Sequence, residues 1–197
     1  CAGALLVALA CTWVCTPLAQ AKSYECDGVN INASVKQNGS LVVSEERSFD
    51  FDGTFSLVGV VLDHPAEGAL KVKGVSVTEP DGSVDKLEQI EFEKEWRSAG
   101  GPGAGDYSID EPRDTVYCFS AYDDDRYSVT VDYTYTNAVR THSEIAELYW
   151  QFVGSEWEVD PGDVDMTLAL PVPSGQTVVG GDNVRAWGHG ALDGTVS

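Results

Sequence analysis

Three consecutive aspartates, Asp123-Asp124-Asp125, flanked by Tyr122 and Tyr127, are the densest set of metal-type ligands in the chain. A hard cation such as Ca²⁺ takes several oxygens, and a run of carboxylates offers them. An EF-hand loop needs acids at alternate positions and a glycine at the sixth, and neither condition is met, so an aspartate-rich turn between two strands is the simpler account. The same weighing applies to Asp160 to Asp165. Acids two residues apart, Asp50 with Asp52 and Glu156 with Glu158, share one face of a strand. A glycosidase works with a carboxyl pair, yet among 32 acidic residues such pairs arise by number alone. Solvent-facing positions are the expectation for both.

The other reactive side chains are scattered. His64 precedes Pro65 at a strand end, His142 stands beside Ser143, and His189 lies between Gly188 and Gly190. None has a zinc partner at useful spacing: there is no H-E-x-x-H and no C-x-x-C, and His142-Ser143-Glu144 lacks the downstream cysteines of a zinc deaminase. No serine sits in G-x-S-x-G. Gly100 to Gly105 neither ends in Gly-Lys-Ser/Thr nor opens a helix, so no phosphate cradle forms. No catalytic residue and no cofactor are assigned.

Trp150, Phe152, Trp157 and Trp187 offer the rings of a sugar-stacking platform. Their place in alternating apolar runs makes core packing the default reading. Of five cysteines, Cys1, Cys11 and Cys15 lie in the apolar leader, which leaves Cys26 and Cys118. In an oxidising compartment these two are expected to form a disulfide, with two separate buried thiols as the alternative.

The first 21 residues carry no charge and run AGALLVALACTWVCTPLA into Ala19-Gln20-Ala21, a small-x-small site that signal peptidase accepts before Lys22. Residues 1–21 are read as a signal peptide, with an uncleaved N-terminal anchor as the alternative. Pro17 close to the site favours cleavage. The residues before Cys11 and Cys15 do not make the approach to a lipidated cysteine. The chain begins at Cys1 without a basic n-region, as expected of an incomplete N-terminus. Net charge is −20, which repels nucleic acid and anionic headgroups and excludes a nucleic-acid partner.

Alternation begins at Val29 and reverses at Asn38-Gly39, a dipeptide suited to a tight hairpin. Strand-like runs recur at 55–64, 69–78, 84–93, 114–122, 126–139, 146–153, 164–172 and 176–180, separated by Pro65, Pro80-Asp81-Gly82, Pro161-Gly162 and Pro173-Ser174-Gly175. One helical turn is expected over 140–147, and RSAGGPGAG after Trp96 reads as a mobile surface loop that packs no core. The fold class is therefore all-β, an antiparallel β-sandwich of immunoglobulin-like or jelly-roll-like kind. The sandwich spans 22–175, and 176–197 reads as the truncated start of a second β-unit.

AELYWQFVGSEWEVDPGDVDMTLALP resembles a motif of the bacterial predicted membrane proteins called domain of unknown function 2207, an acidic-Leu-Tyr-Trp strand leading through a turn and a Trp strand to a hydrophobic strand ending in Pro. NGSLVVSEERSFDFDG and RAWGHGALDGTV match in order. The resemblance implies an exported, β-rich ectodomain followed in longer members by transmembrane helices, anchored by segments absent here. Its expected partners are the membrane and other envelope proteins. The family carries no established activity, so a structural or protein-interaction role is expected, with a secreted glycan- or calcium-binding module as the alternative.

Overall fold

The computed structural model describes residues 22–65, 67–98, 100–154, 157–188 and 194–196, and the expected leader at 1–21 lies outside them. Side chains alternate between buried and exposed along β1 (Ser23–Val35) and β2 (Leu41–Asp52). That period of two lays one face of each strand on a core. The pair is the hairpin expected at Asn38-Gly39, closed by Gly39 N–H donating to the Lys36 carbonyl at 2.9 Å and by Ser40 N–H donating to Asn38 Oδ1 at 3.1 Å.

The chain continues through β3 (Phe55–Val61), β4 (Leu70–Thr78), β5 (Val84–Lys86), β6 (Glu88–Gln89), β7 (Asp106–Asp110), β8 (Thr115–Tyr122) and β9 (Arg126–Tyr135). It ends with β10 (Val139–Thr141), β11 (Ala146–Leu148) and β12 (Asp163–Ala169). Among the described residues the first sheet has the order β12-β1-β2-β9-β4-β5, the second β3-β8-β7-β6, and β10-β11 form a separate pair. One buried cluster joins the two larger sheets, with Ile31, Leu41, Val129 and Val131 from the first and Val60, Val116 and Cys118 from the second. At one end it becomes aromatic, with Phe51 5.1 Å from both Phe55 and Tyr122 between ring centroids.

The all-β sandwich expected from the sequence is the fold observed, but its sheets are mixed. β12 runs parallel to β1, and β6 runs parallel to β7. Neither pair is joined by a hairpin, and only a tight hairpin forces neighbours to be antiparallel. β12 reaches β1 after a stretch whose described residues, 149–154 and 157–162, form no strand.

Four local expectations are corrected. The run 176–180 is not a strand, and its one pairing is an isolated bridge from Gly180 to Val184. The helical turn expected over 140–147 is the hairpin β10-β11, with His142 N–H donating to the Ile145 carbonyl at 2.7 Å. The strand expected over 146–153 pairs only at Ala146–Leu148, because Trp150 and Phe152 beyond it turn their rings onto the core. The loop after Trp96 does pack. It opens on a 3-10 turn, Lys94–Arg97, and lies across the second sheet with Trp96 edge-on to Phe119 at 5.2 Å. Gly101 sits so close to that ring that a Cβ there would stand 2.2 Å from Phe119 Cε1.

Gly162 turns the irregular stretch into β12 at φ +63°, and a Cβ there would stand 2.4 Å from the Asp27 carbonyl oxygen. Gly162→Ala combines left-handed strain with a backbone clash at the bulge in β1. It is expected to lower stability by ~2 kcal/mol or more. Urea unfolding followed by circular dichroism measures this, and a loss under ~0.5 kcal/mol would show that the turn relaxes freely.

Candidate functional site

The apolar phase of β2 runs Leu41, Val43, Glu45, Arg47, Phe49, Phe51, so two charged residues point inward among hydrophobic ones. Glu45 is 2% and Arg47 5% exposed. Arg47 Nε donates to Glu45 Oε1 at 2.7 Å, and its Nη2 lies 2.6 Å from the same oxygen. The Tyr133 hydroxyl donates to Glu45 Oε2 at 3.4 Å, and Arg47 Nη2 donates to the Val61 carbonyl at 2.9 Å. Above the pair the Trp157 ring centre is 4.3 Å from the guanidinium carbon, within range of a cation–π contact.

Electrostatics follow from that enclosure. Burial pushes the Glu45 carboxyl up, and Arg47 and the Tyr133 hydroxyl pull against it. Burial also raises Tyr133, reinforced by the Glu45 charge. Arg47 thus joins β2 of one sheet to β3 of the other and to the stretch above. A guanidinium, a carboxylate and a phenol in one cluster have the chemistry of a proton-handling site. Here they satisfy each other and are closed from solvent, which is the chemistry of a structural clamp.

A second ionic cluster lies on the far side of the second sheet. Asp110, fully buried, accepts both Arg97 Nε and Nη2 at 2.5 Å. The Arg97 guanidinium is 5.3 Å from the Phe92 ring centre, and Phe92 stacks on Tyr117 at 5.7 Å and 10°. Ser108, between them on the same strand face, is buried with its hydroxyl unpartnered. Sequence reasoning missed both clusters. The signal for the first was present, because the apolar phase of 41–51 passes through Glu45 and Arg47. Nothing local marks Arg97 as the partner of Asp110.

The N-terminal domain described as "Predicted membrane protein (DUF2207)" matches residues 25–197. The chain belongs to this family. No curated protein matches it. A crystal structure from Parabacteroides distasonis ATCC 8503, described as a "putative protease", is similar at 12% identity and a TM-score of 0.30 over 57% of this chain. This chain spans 23% of that protein's length.

In this DUF2207 domain the expected site residues separate. Asp123, Asp124 and Asp125 form the turn between β8 and β9. Asp124 Oδ1 accepts the Gly53 N–H, Asp125 Oδ1 accepts the Arg126 N–H at 2.8 Å, and the Asp123 N–H donates to the Tyr127 hydroxyl oxygen at 3.3 Å. Among the described residues no three His, Cys, Asp or Glu side chains are grouped to hold a metal. Asp50 takes Arg126 at 3.0 Å and Glu158 takes the Tyr24 hydroxyl at 3.0 Å, while Glu156 and His189 lie outside the described residues. His64 Nε2 is 3.1 Å from Asp114, and His142 Nε2 is 3.7 Å from Glu147. Trp150, Phe152 and Trp157 pack against the core, and Trp150 meets Tyr135 at 4.8 Å. Trp187 alone of the four is 76% exposed.

Cys26 and Cys118 are free buried thiols, the alternative reading of the pair, and not the expected bridge. Cys26 Sγ, on the first sheet, donates toward the Pro161 carbonyl at 3.5 Å. Cys118 is enclosed in the second sheet, and burial pushes its thiol up to about 12. Thiol titration in denaturant without reductant is therefore expected to read both residues, whereas a bridge would hide both. In the folded protein at pH ~8 Cys118 stays un-ionised and silent.

Arg47→Met leaves Glu45 buried without its cation and is expected to cost ~3–5 kcal/mol, with part recovered by adding Glu45→Gln. The raised Glu45 carboxyl keeps its proton to higher pH in the folded state than in the unfolded chain. Its contribution therefore makes stability fall as pH rises from the ordinary carboxylate range through the folded value. Chemical unfolding across that range should lose this slope in Glu45→Gln.

Proposed function

We propose that this sandwich is the extracytoplasmic domain of a membrane-anchored bacterial envelope protein, acting by structural or protein–protein contact and not by catalysis. The observation that carries the reading is the match of residues 25–197 to the N-terminal domain of predicted membrane proteins. The uncharged stretch 1–21 with its small-x-small end supports export. Among the described residues no helix is long and apolar enough to cross a membrane.

Two further features favour contact over chemistry. The enclosed charged groups, Glu45 with Arg47 between the sheets and Asp110 with Arg97 on the outer side of the second sheet, are each spent on a partner within the fold. The outer face of the first sheet, by contrast, presents Asn30, Asn32, Ser44, Ser128 and Thr130 around Glu46, and at one end Arg126 is ion-paired to Asp27 and Asp50, so this exposed polar surface is not an enclosed site. A catalytic pocket gathers polar groups of perturbed acidity in a concave site.

Fractionation of cells expressing the native gene, followed by protease treatment of intact spheroplasts, tests the placement. The expected result is membrane-bound protein whose sandwich is cut by external protease. Recovery in the soluble cytoplasmic fraction, or protection until lysis, would overturn it.

A further inference from the structure

The geometry points to the open edge of β12 as a docking site for an extended segment of another protein whose residues alternate between apolar and basic. The inference rests on the reading of this domain as one that works by contact, and it names where the contact is made and with what chemistry.

Among the described residues β12 is the last strand of the six-stranded sheet, and its residues are exposed or half-exposed throughout. Its register against β1 pairs Val164 with Val29, Met166 with Ile31 and Leu168 with Ala33. Paired residues share a sheet face, so these three lie on the face that elsewhere meets the core. Val29 and Ile31 are buried there, but Val164 is 46% and Met166 44% exposed. The inner layer stops one strand short. Leu170 and Val172 just beyond β12 add further exposed apolar surface.

An unprotected edge of this kind adds strands. Natural edges are guarded by charged side chains, lysines above all, by bulges or by an interrupting proline; β12 contains no basic residue, its two acids stand at its first end at Asp163 and Asp165, and Pro171 and Pro173 follow the strand without breaking it. The ladder that an added strand would extend runs from Asp163 to Ala169.

Charge selects the occupant. Asp163 and Asp165 lie on the opposite face from the apolar row, and the chain carries a net charge of −20. A second copy would bring another chain of net charge −20 to the edge, and the two repel. A strand with apolar residues toward Val164 and Met166 and basic residues toward Asp163 and Asp165 meets both faces. The protein already contains that pattern: β4 turns Val72 into the core and keeps Lys71 and Lys73 on the outer face of the same sheet.

The test is to titrate the isotope-labelled full chain with an acetylated octapeptide alternating lysine and valine, following backbone amide shifts. Saturable shifts confined to β12 and β1, weakening as salt is raised, are expected. Met166→Asp and the pair Asp163→Lys with Asp165→Lys are each expected to weaken binding ~10-fold or more. All three positions are exposed, so the amide spectrum of the core should be unchanged in both variants. No binding, shifts on other strands, equal binding of a glutamate–valine peptide, or unaltered binding by the variants would each overturn the proposal. So would broadening of β12 that grows with protein concentration alone, which would assign the edge to a second copy. Cell fractionation is independent of all these outcomes, so loss of the docking site would leave the envelope placement standing.

Discussion

The guanidinium of Arg47 is the point on which the two sheets and the irregular stretch over them converge. It sits on β2, holds Glu45 beside it, reaches the last carbonyl of β3 and carries the Trp157 ring. A buried ion pair is weak as a source of net stability, because desolvation offsets most of the attraction. Its effect is on register. A slip of one residue would carry Glu45 and Arg47 to solvent and bring Glu46, Ser48 and Asp50 into the core, where no partners await them. The pair can be satisfied in one alignment of β2, and that alignment sets the hairpin with β1 and the ladder with β9.

Side chains, not a backbone ladder, hold the stretch that follows β11. Among the described residues of 149–161 no backbone-to-backbone hydrogen bond ties it to either sheet. Trp150 rests on Tyr135, Trp157 on Arg47, and Glu158 accepts from Tyr24. The second sheet uses the same device on its outer side, where Phe92 and Trp96 cover Tyr117 and Phe119 and Arg97 closes on Asp110. Both coverings let an irregular chain exclude water from an aromatic surface.

The long strands were legible because a period of two is a local signal: β1, β2, β4 and β9 all follow runs that alternate in the sequence. The rest depended on contacts between distant residues. Leu148 to Phe152 alternates like a strand, yet its tryptophan and phenylalanine are taken by Tyr135 and its neighbours before a partner strand is found. RSAGGPGAG lacks large side chains of its own, so its packing comes from Trp96 before it and from Phe119, which accepts a bare glycine. Cys26 and Cys118 have the count of a disulfide, and their separation into two private environments is a property of the sheets. The carboxylates at 123–125 read as turn residues because the run lacks the alternate acids and the sixth-position glycine of a calcium loop.

β1 and β12 run in the same direction, in register from Gly28 with Asp163 to Ser34 with Ala169. Tension applied between the start of β1 and the end of β12 therefore pulls the two strands lengthwise past one another. The whole ladder resists at once, and its hydrogen bonds cannot be peeled off one by one as they would be in a hairpin opened from its ends. The parallel pairing makes this sheet edge a shear joint.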